Sequence, residues 1–219
     1  MKKMCNWIAI ASLLAAVAWP AVAAAQDSAP QFGEICGDVF QNAVGPFDYN
    51  NPDDWTRKSS AGIPIVERAH FTTEIEAFLV RDGVILNNLD YTLRAVPNHP
   101  RALNAIARFD IERGISTRRR SVDCWFERAI RFRPQDSTVW QIYANYLSRK
   151  DRHEEALDAY EQAKAIAPDR VEIDYNLGLL YVRMGQYDKA LERARVAYAA
   201  DYPLPGLRRK LEEKGLSVD

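Results

Sequence analysis

Residues 137–168 read STVWQIYANYLSRKDRHEEALDAYEQAKAIAP, and residues 171–203 read VEIDYNLGLLYVRMGQYDKALERARVAYAADYP. Each stretch holds two runs of apolar residues at helical spacing, joined by a short polar or glycine-containing turn (Lys150-Asp151-Arg152 in the first, Gly185 in the second). Pro134 and Pro168 lie 34 residues apart, and Pro203 follows 35 residues later. A helix pair that recurs at this period, with a proline closing each unit, is the pattern of a helical solenoid, in which every unit buries its apolar face against its neighbours.

Small and bulky residues alternate in step. Ala144, Ala156, Gly178 and Ala190 fall where helices of a pair must cross, and only a small side chain lets two backbones approach there. Tyr143, Leu147, Tyr160, Leu177 and Tyr181 supply the volume between them. Working outward, residues 100–134 give a looser copy: Leu103, Ile106-Ala107, Val122, Phe126, Ala129 and Pro134, with about three extra residues near 114–118. Residues 70–99 form a degenerate helix pair, with Thr73 and Glu76 spaced as a capping box and Asp82-Gly83 read as the end of its first helix. Leu207 to Lys214 reads as a terminal capping helix.

The registers Trp140, Tyr143-Ala144, Leu147, Ala156, Tyr160, Ala163 and Pro168, and then Leu177-Gly178, Tyr181, Gly185, Tyr187, Ala190 and Ala197, resemble the tetratricopeptide repeat; Ala194 departs from it, standing where the second-helix aromatic belongs. The resemblance covers residues 100–214 well and 70–99 loosely. It implies an all-α, tetratricopeptide-type helical-repeat solenoid with three repeats over 100–204 and a cap over 205–219. It also implies that the first helix of each repeat lines a concave groove. Helical spacing then places Arg101, Asn104 and Arg108, next Thr138, Gln141 and Asn145, and finally Glu172, Tyr175, Asn176 and Leu179 on that face. Guanidinium and amide groups there suit a peptide backbone or a carboxylate, and Tyr175 offers a flat anchor. Some members of the family hold a terminal carboxylate with Lys, Asn and Arg; Asn145 and Asn176 suit that, while Gln141 stands where a Lys is expected.

The remainder has a different character. Lys2 and Lys3 precede an apolar run over residues 7–25 that ends in Ala23-Ala24-Ala25, the form of an export signal peptide over 1–25, with an uncleaved anchor as the alternative. A periplasmic or secreted home follows as an expectation, with no membrane insertion after cleavage. Residues 26–69 are dense in Pro, Gly, Asn and Ser yet carry Phe32, Ile35, Val39, Phe40, Phe47, Tyr49 and Trp55, and so read as an irregular arm packed on the domain, with one short helix near 38–42. Cys36 and Cys124 remain after such cleavage and are either paired in a disulfide or two free thiols. Trp125 is expected to face outward under the arm, which leaves the groove open.

Net charge is -1, which gives no bias toward nucleic acid. His70, His99 and His153 stand apart from any second metal ligand at a workable spacing, and no phosphate loop or nucleophile motif is present, so neither metal nor cofactor is expected. Arg118-Arg119-Arg120 is either a cationic patch or a solvated turn. The expected function is a non-enzymatic scaffold in the bacterial envelope that binds a protein or peptide in the groove. The alternative is a thiol enzyme using Cys36 and Cys124.

Overall fold

The computed structural model describes residues 36–56, 62–115 and 120–218. The proposed signal segment and the Arg118-Arg119 pair lie outside these residues. Gln31–Asp219 form one compact unit. Among the described residues there are eleven helices and no strand.

The repeat region consists of α5 (Pro100–Arg113), α6 (Val122–Phe132), α7 (Ser137–Arg149), α8 (His153–Ile166), α9 (Val171–Arg183) and α10 (Tyr187–Ala199). The first three of these helices begin where a side chain satisfies free amides. The His99 ring accepts from the Ala102 amide at 3.2 Å ahead of Pro100, the Ser121 hydroxyl accepts from the Cys124 amide, and Asp136 accepts from Thr138 and Val139. The turns after α7 and α10 place Asp151 and Asp201 at positive φ, a conformation that Asp tolerates.

Helices α5, α7 and α9 lie side by side, and α6, α8 and α10 pack behind them. The crossing points are tight where small residues stand: Ala144, Ala156, Ala163, Ala190 and Ala194 are all fully buried. Gly178 is the closest of these. A Cβ there would lie 2.4 Å from a methyl of Leu207 on α11 (Gly206–Glu212), which caps the stack. One continuous core runs from Phe71 to Val218 and includes Phe109, Phe126, Tyr143, Leu147, Tyr160 and Leu180. Full burial of each such side chain contributes about 1.5–3 kcal/mol.

Ahead of the repeats lie α1 (Pro52–Trp55), α2 (Ile63–His70), α3 (Thr73–Glu76) and α4 (Asp82–Ala95). Three expectations are corrected here. The arm region is not irregular throughout: it contains α1 and α2, because Pro52 and Pro64 occupy first-turn positions, where proline is pre-organised for a helix rather than a breaker. No helix forms near 38–42. Asp82-Gly83 opens α4 instead of closing the preceding helix; α3 stops a turn earlier, where Phe78 turns to φ 59° and the Leu79 amide donates back to the Glu74 carbonyl at 2.9 Å.

The arm is fastened at two places. Val44, Phe47, Tyr49 and Trp55 pack on a second small core of Ile63, Val66, Ala95 and Val96. Beside it, buried Asn98 donates to Asp48 at 2.7 Å and Asp136 at 3.1 Å, and its carbonyl oxygen accepts from the Tyr49 amide at 2.9 Å. Nearer the N-terminus, Cys36 and Cys124 form a disulfide that joins the arm to α6.

Candidate functional site

A cavity of about 270 Å³ opens on the layer of first helices. Its rim carries Asn104 from α5, Asn145 and Arg149 from α7, and Asn176 and Arg183 from α9; Tyr160 of α8, Ser148, Leu179 and Leu180 complete it. No carboxylate lines it. Burial holds the Tyr160 phenol well above its ordinary range, with Arg183 pulling weakly the other way, so the group stays protonated and donates to the Asn145 side-chain oxygen. That bond fixes the Asn145 amide with its NH2 toward open space. Arg183 donates to the Ser148 carbonyl at 3.1 Å and keeps its remaining donors. Asn104, Asn176 and Arg149 make no hydrogen bond among the described residues. The cavity thus pairs a donor-rich rim with an apolar patch at Leu179, a combination suited to an extended peptide carrying carbonyl or carboxylate acceptors.

Of the expected groove residues, Asn104, Asn145, Asn176 and Leu179 therefore meet at one cavity, and Arg101, Arg108, Thr138, Gln141, Glu172 and Tyr175 do not. Arg101 donates to the Glu76 carboxylate of α3 through Nε at 3.0 Å and through Nη2, and the Arg101 pairing holds the Glu76 carboxyl below its usual range. Arg108 donates to the Glu76 carbonyl at 2.7 Å and covers the Phe78 ring. Both cations are thus engaged by the first helix pair. Gln141 is buried, with no partner for its side-chain oxygen among the described residues, and does not line the cavity. Tyr175 turns inward: it is 7 % exposed, meets the Tyr202 ring at a tilt with centres 4.7 Å apart and lies against the cap. Thr138 and Glu172 are tied to Arg170. Arg149 and Arg183, which the sequence reading passed over, stand four residues after Asn145 and seven after Asn176, spacings that keep a side chain on one helix face.

The arm lies against the other layer. Arg128 of α6 is 1 % exposed and donates through one nitrogen to the carbonyls of Cys36, Gly37 and Asp38 at 3.4, 3.2 and 3.0 Å. None of the described arm residues lines the cavity. Trp125 is not an outward residue awaiting the arm: it is 3 % exposed and belongs to the main core, near Leu86, Ile106 and Ile115, with the Arg120 guanidinium 5.2 Å from its ring. Arg120 also pairs with Asp90 at 3.5 Å.

Two of the histidines are built into the packing. His99 is fully buried; its Nδ1 accepts the α5 capping bond and its Nε2 faces Glu67 at 3.0 Å. His70 meets Asn88 and stacks on Tyr91. Among the described residues no cluster of His, Cys, Asp or Glu could hold a metal, and no helix is long and apolar enough to cross a membrane.

With this geometry in view, residues 135–202 match the tetratricopeptide repeat family. The fold is a tetratricopeptide-type helical solenoid. Relatives that match part of the chain are the peroxisomal targeting signal receptors of Candida albicans (37 % identical over 73 residues, 33 % of this chain and 12 % of the receptor), Candida glabrata (33 % over 78 residues, 36 % and 13 %) and Saccharomyces cerevisiae (34 % over 71 residues, 32 % and 11 %). The chain spans about an eighth of the length of these receptors. Among solved structures, two of MamA superpose with TM-scores of 0.52 and 0.50 at 18 % and 20 % identity, covering 70 % of this chain and 82 % and 85 % of theirs. At that identity the likeness concerns the fold.

Proposed function

We propose that this protein is a non-enzymatic scaffold that binds an extended peptide segment of a partner protein in the cavity between α5, α7 and α9. The observation that carries the proposal is the convergence of Asn104, Asn145 and Asn176, from three successive first helices, with Arg149 and Arg183 on a rim without any carboxylate. Asparagine side chains can bond both the N–H and the C=O of a peptide backbone, and guanidinium groups add a preference for an anionic side chain or terminus. The relatives' printed role as receptors of a targeting signal supports a segment-binding function.

The cellular setting belongs to the same proposal. Lys2-Lys3, the apolar run over 7–25 and the small residues Ala23 to Ala25 support export to the bacterial envelope, and the Cys36–Cys124 bond suits an oxidising compartment.

Selection of a random octapeptide library on the immobilised protein, followed by fluorescence polarisation with the recovered peptides, tests the reading. Peptides that bind wild type and are lost in Asn145→Ala/Asn176→Ala, with the helical circular dichroism unchanged, are the expected result. Recovery of peptides that bind both proteins equally would place recognition elsewhere.

A further inference from the structure

The arm's two fastenings differ in what sustains them. The second, over 44–55, buries Val44, Phe47, Tyr49 and Trp55 partly against a small core and shares the Asp48–Asn98–Asp136 network. The Phe47 amide adds a bond to the Ala95 carbonyl at 2.7 Å, and Arg133 donates to Asp48 at 2.6 Å. This fastening is rich in buried apolar area and fully paired polar groups, and it needs no covalent help.

The first fastening, over 36–40, has little of either. Val39 is its one fully buried apolar side chain apart from the bonded cysteine. Phe40 leans toward Phe132 with ring centres 6.0 Å apart but is 61 % exposed, and Asp38 and Gln41 face solvent. Among the described residues the polar hold on α6 is a single Arg128 nitrogen shared among three carbonyls, although that nitrogen carries two hydrogens. Beneath the segment the Arg128 guanidinium is desolvated: its Nε and Nη2 have no partner among the described residues, and no carboxylate is bonded to it. Desolvation outweighs the charges around it, where the repulsion of Arg120 and Arg131 is partly offset by Glu127 and Asp90. Water would satisfy these donors if the segment lifted, so the buried cation opposes its own cover. Ordering residues 36–43 carries a backbone entropy cost that one valine and one shared donor do not match.

We infer that the Cys36–Cys124 disulfide is a redox latch: reduction releases residues 36–43 from α6 and exposes Arg128, Phe132 and the Cys124 thiol, while residues 47–55 and the solenoid stay in place. The step is a thiol–disulfide exchange. A dithiol reductant attacks one sulfur, passes two electrons and two protons to Cys36 and Cys124, and leaves as its own disulfide. Cys36 and Cys124 are 4 % and 8 % exposed, so attack waits for an outward excursion of the weakly held segment, after which the charge of Arg128 favours the open form. The face so opened lies on the second-helix layer, away from the asparagine cavity.

Amide hydrogen exchange on the full chain, oxidised and then reduced with dithiothreitol, tests the latch. The expected result is exchange over 36–43 about tenfold or more faster after reduction, labelling of Cys124 by a maleimide, and unchanged protection over 47–55 and α7 to α10. A second variant isolates the cation: reduced Arg128→Met should exchange more slowly over 36–43 than the reduced wild type. A bond that resists reduction in the folded chain, protection over 36–43 that survives reduction, loss of protection throughout α7 to α10, or an unchanged or faster rate in reduced Arg128→Met would each overturn the inference.

Discussion

Gly178→Ala offers a sharp test of how the stack is closed. Gly178 sits inside α9, where alanine is the better helix former by about 1 kcal/mol, so propensity alone predicts stabilisation. The added Cβ, however, would stand 2.4 Å from one methyl of Leu207, 3.3 Å from the other and 3.4 Å from its Cγ. Leu207 is fully buried on the capping helix α11, so its side chain can yield only by pressing on the core around it. Overpacking of this kind costs about 1–3 kcal/mol. The net expectation is a loss of about 1 kcal/mol, seen as a fall of about 2–4 °C in Tm for a chain of this size. The sign should reverse once the obstacle is removed. Leu207→Ala costs about 2–5 kcal/mol by itself, but Gly178→Ala placed on that background should regain about 1 kcal/mol. Urea unfolding followed by far-ultraviolet circular dichroism on the four proteins gives the cycle, with an expected coupling of about 2 kcal/mol. Stabilisation of the wild type by Gly178→Ala, or two additive substitutions, would refute the close approach of α9 and α11.

Other consequences can be measured on the same protein. Asn98→Ala strips the donor from two buried carboxylates and the acceptor from the Tyr49 amide; a loss of about 2–4 kcal/mol and faster amide exchange over 47–51 are expected, and a loss under about 0.5 kcal/mol would mean the network is idle. Glu67 is held below its ordinary 4.5 chiefly by the hydrogen bond from His99, against the opposing effect of burial. A carboxylate lowered on folding stabilises the fold above its unfolded pKa and loses that contribution as pH falls through the folded value. The stability gap between wild type and Glu67→Gln should therefore narrow as pH falls from about 5.5 toward 3, and a gap that widens over that window would contradict the pairing.

Most of α7 to α10 was legible in the sequence because two signals coincide there. Ala144, Ala156, Gly178 and Ala190 mark the crossings, and Pro134, Pro168 and Pro203 mark the period. The first helix pair was legible only in outline: its boundary was missed, since α3 is one turn long and ends at Phe78 in a conformation that sequence patterns rarely assign to a bulky residue. That failure carried into the site. Without α3 in place, nothing in the sequence indicated that Glu76 would engage Arg101 and Arg108. Tyr175 was misassigned for a different reason. It is adjacent to Asn176, and neighbouring residues on a helix point about 100° apart, so one sits at the cavity rim while the other enters the core beneath the cap. Arg149 and Arg183 were recoverable from spacing alone, as they continue the faces of Asn145 and Asn176. The two arm helices were hidden because Pro52 and Pro64 read as punctuation until their first-turn positions are seen.

The most direct test of the central claim is a titration of one selected peptide against four proteins: wild type, Asn145→Ala/Asn176→Ala, Arg149→Glu, and Arg195→Glu as a control outside the cavity lining. Each lost side-chain hydrogen bond is expected to remove about 1 kcal/mol, so the double asparagine variant should raise Kd about thirtyfold. Arg149→Glu should weaken an acidic peptide by about tenfold or more, and Arg195→Glu should leave it within about twofold. Equal affinity for wild type and the double asparagine variant, with both proteins folded, would contradict binding in the cavity between α5, α7 and α9.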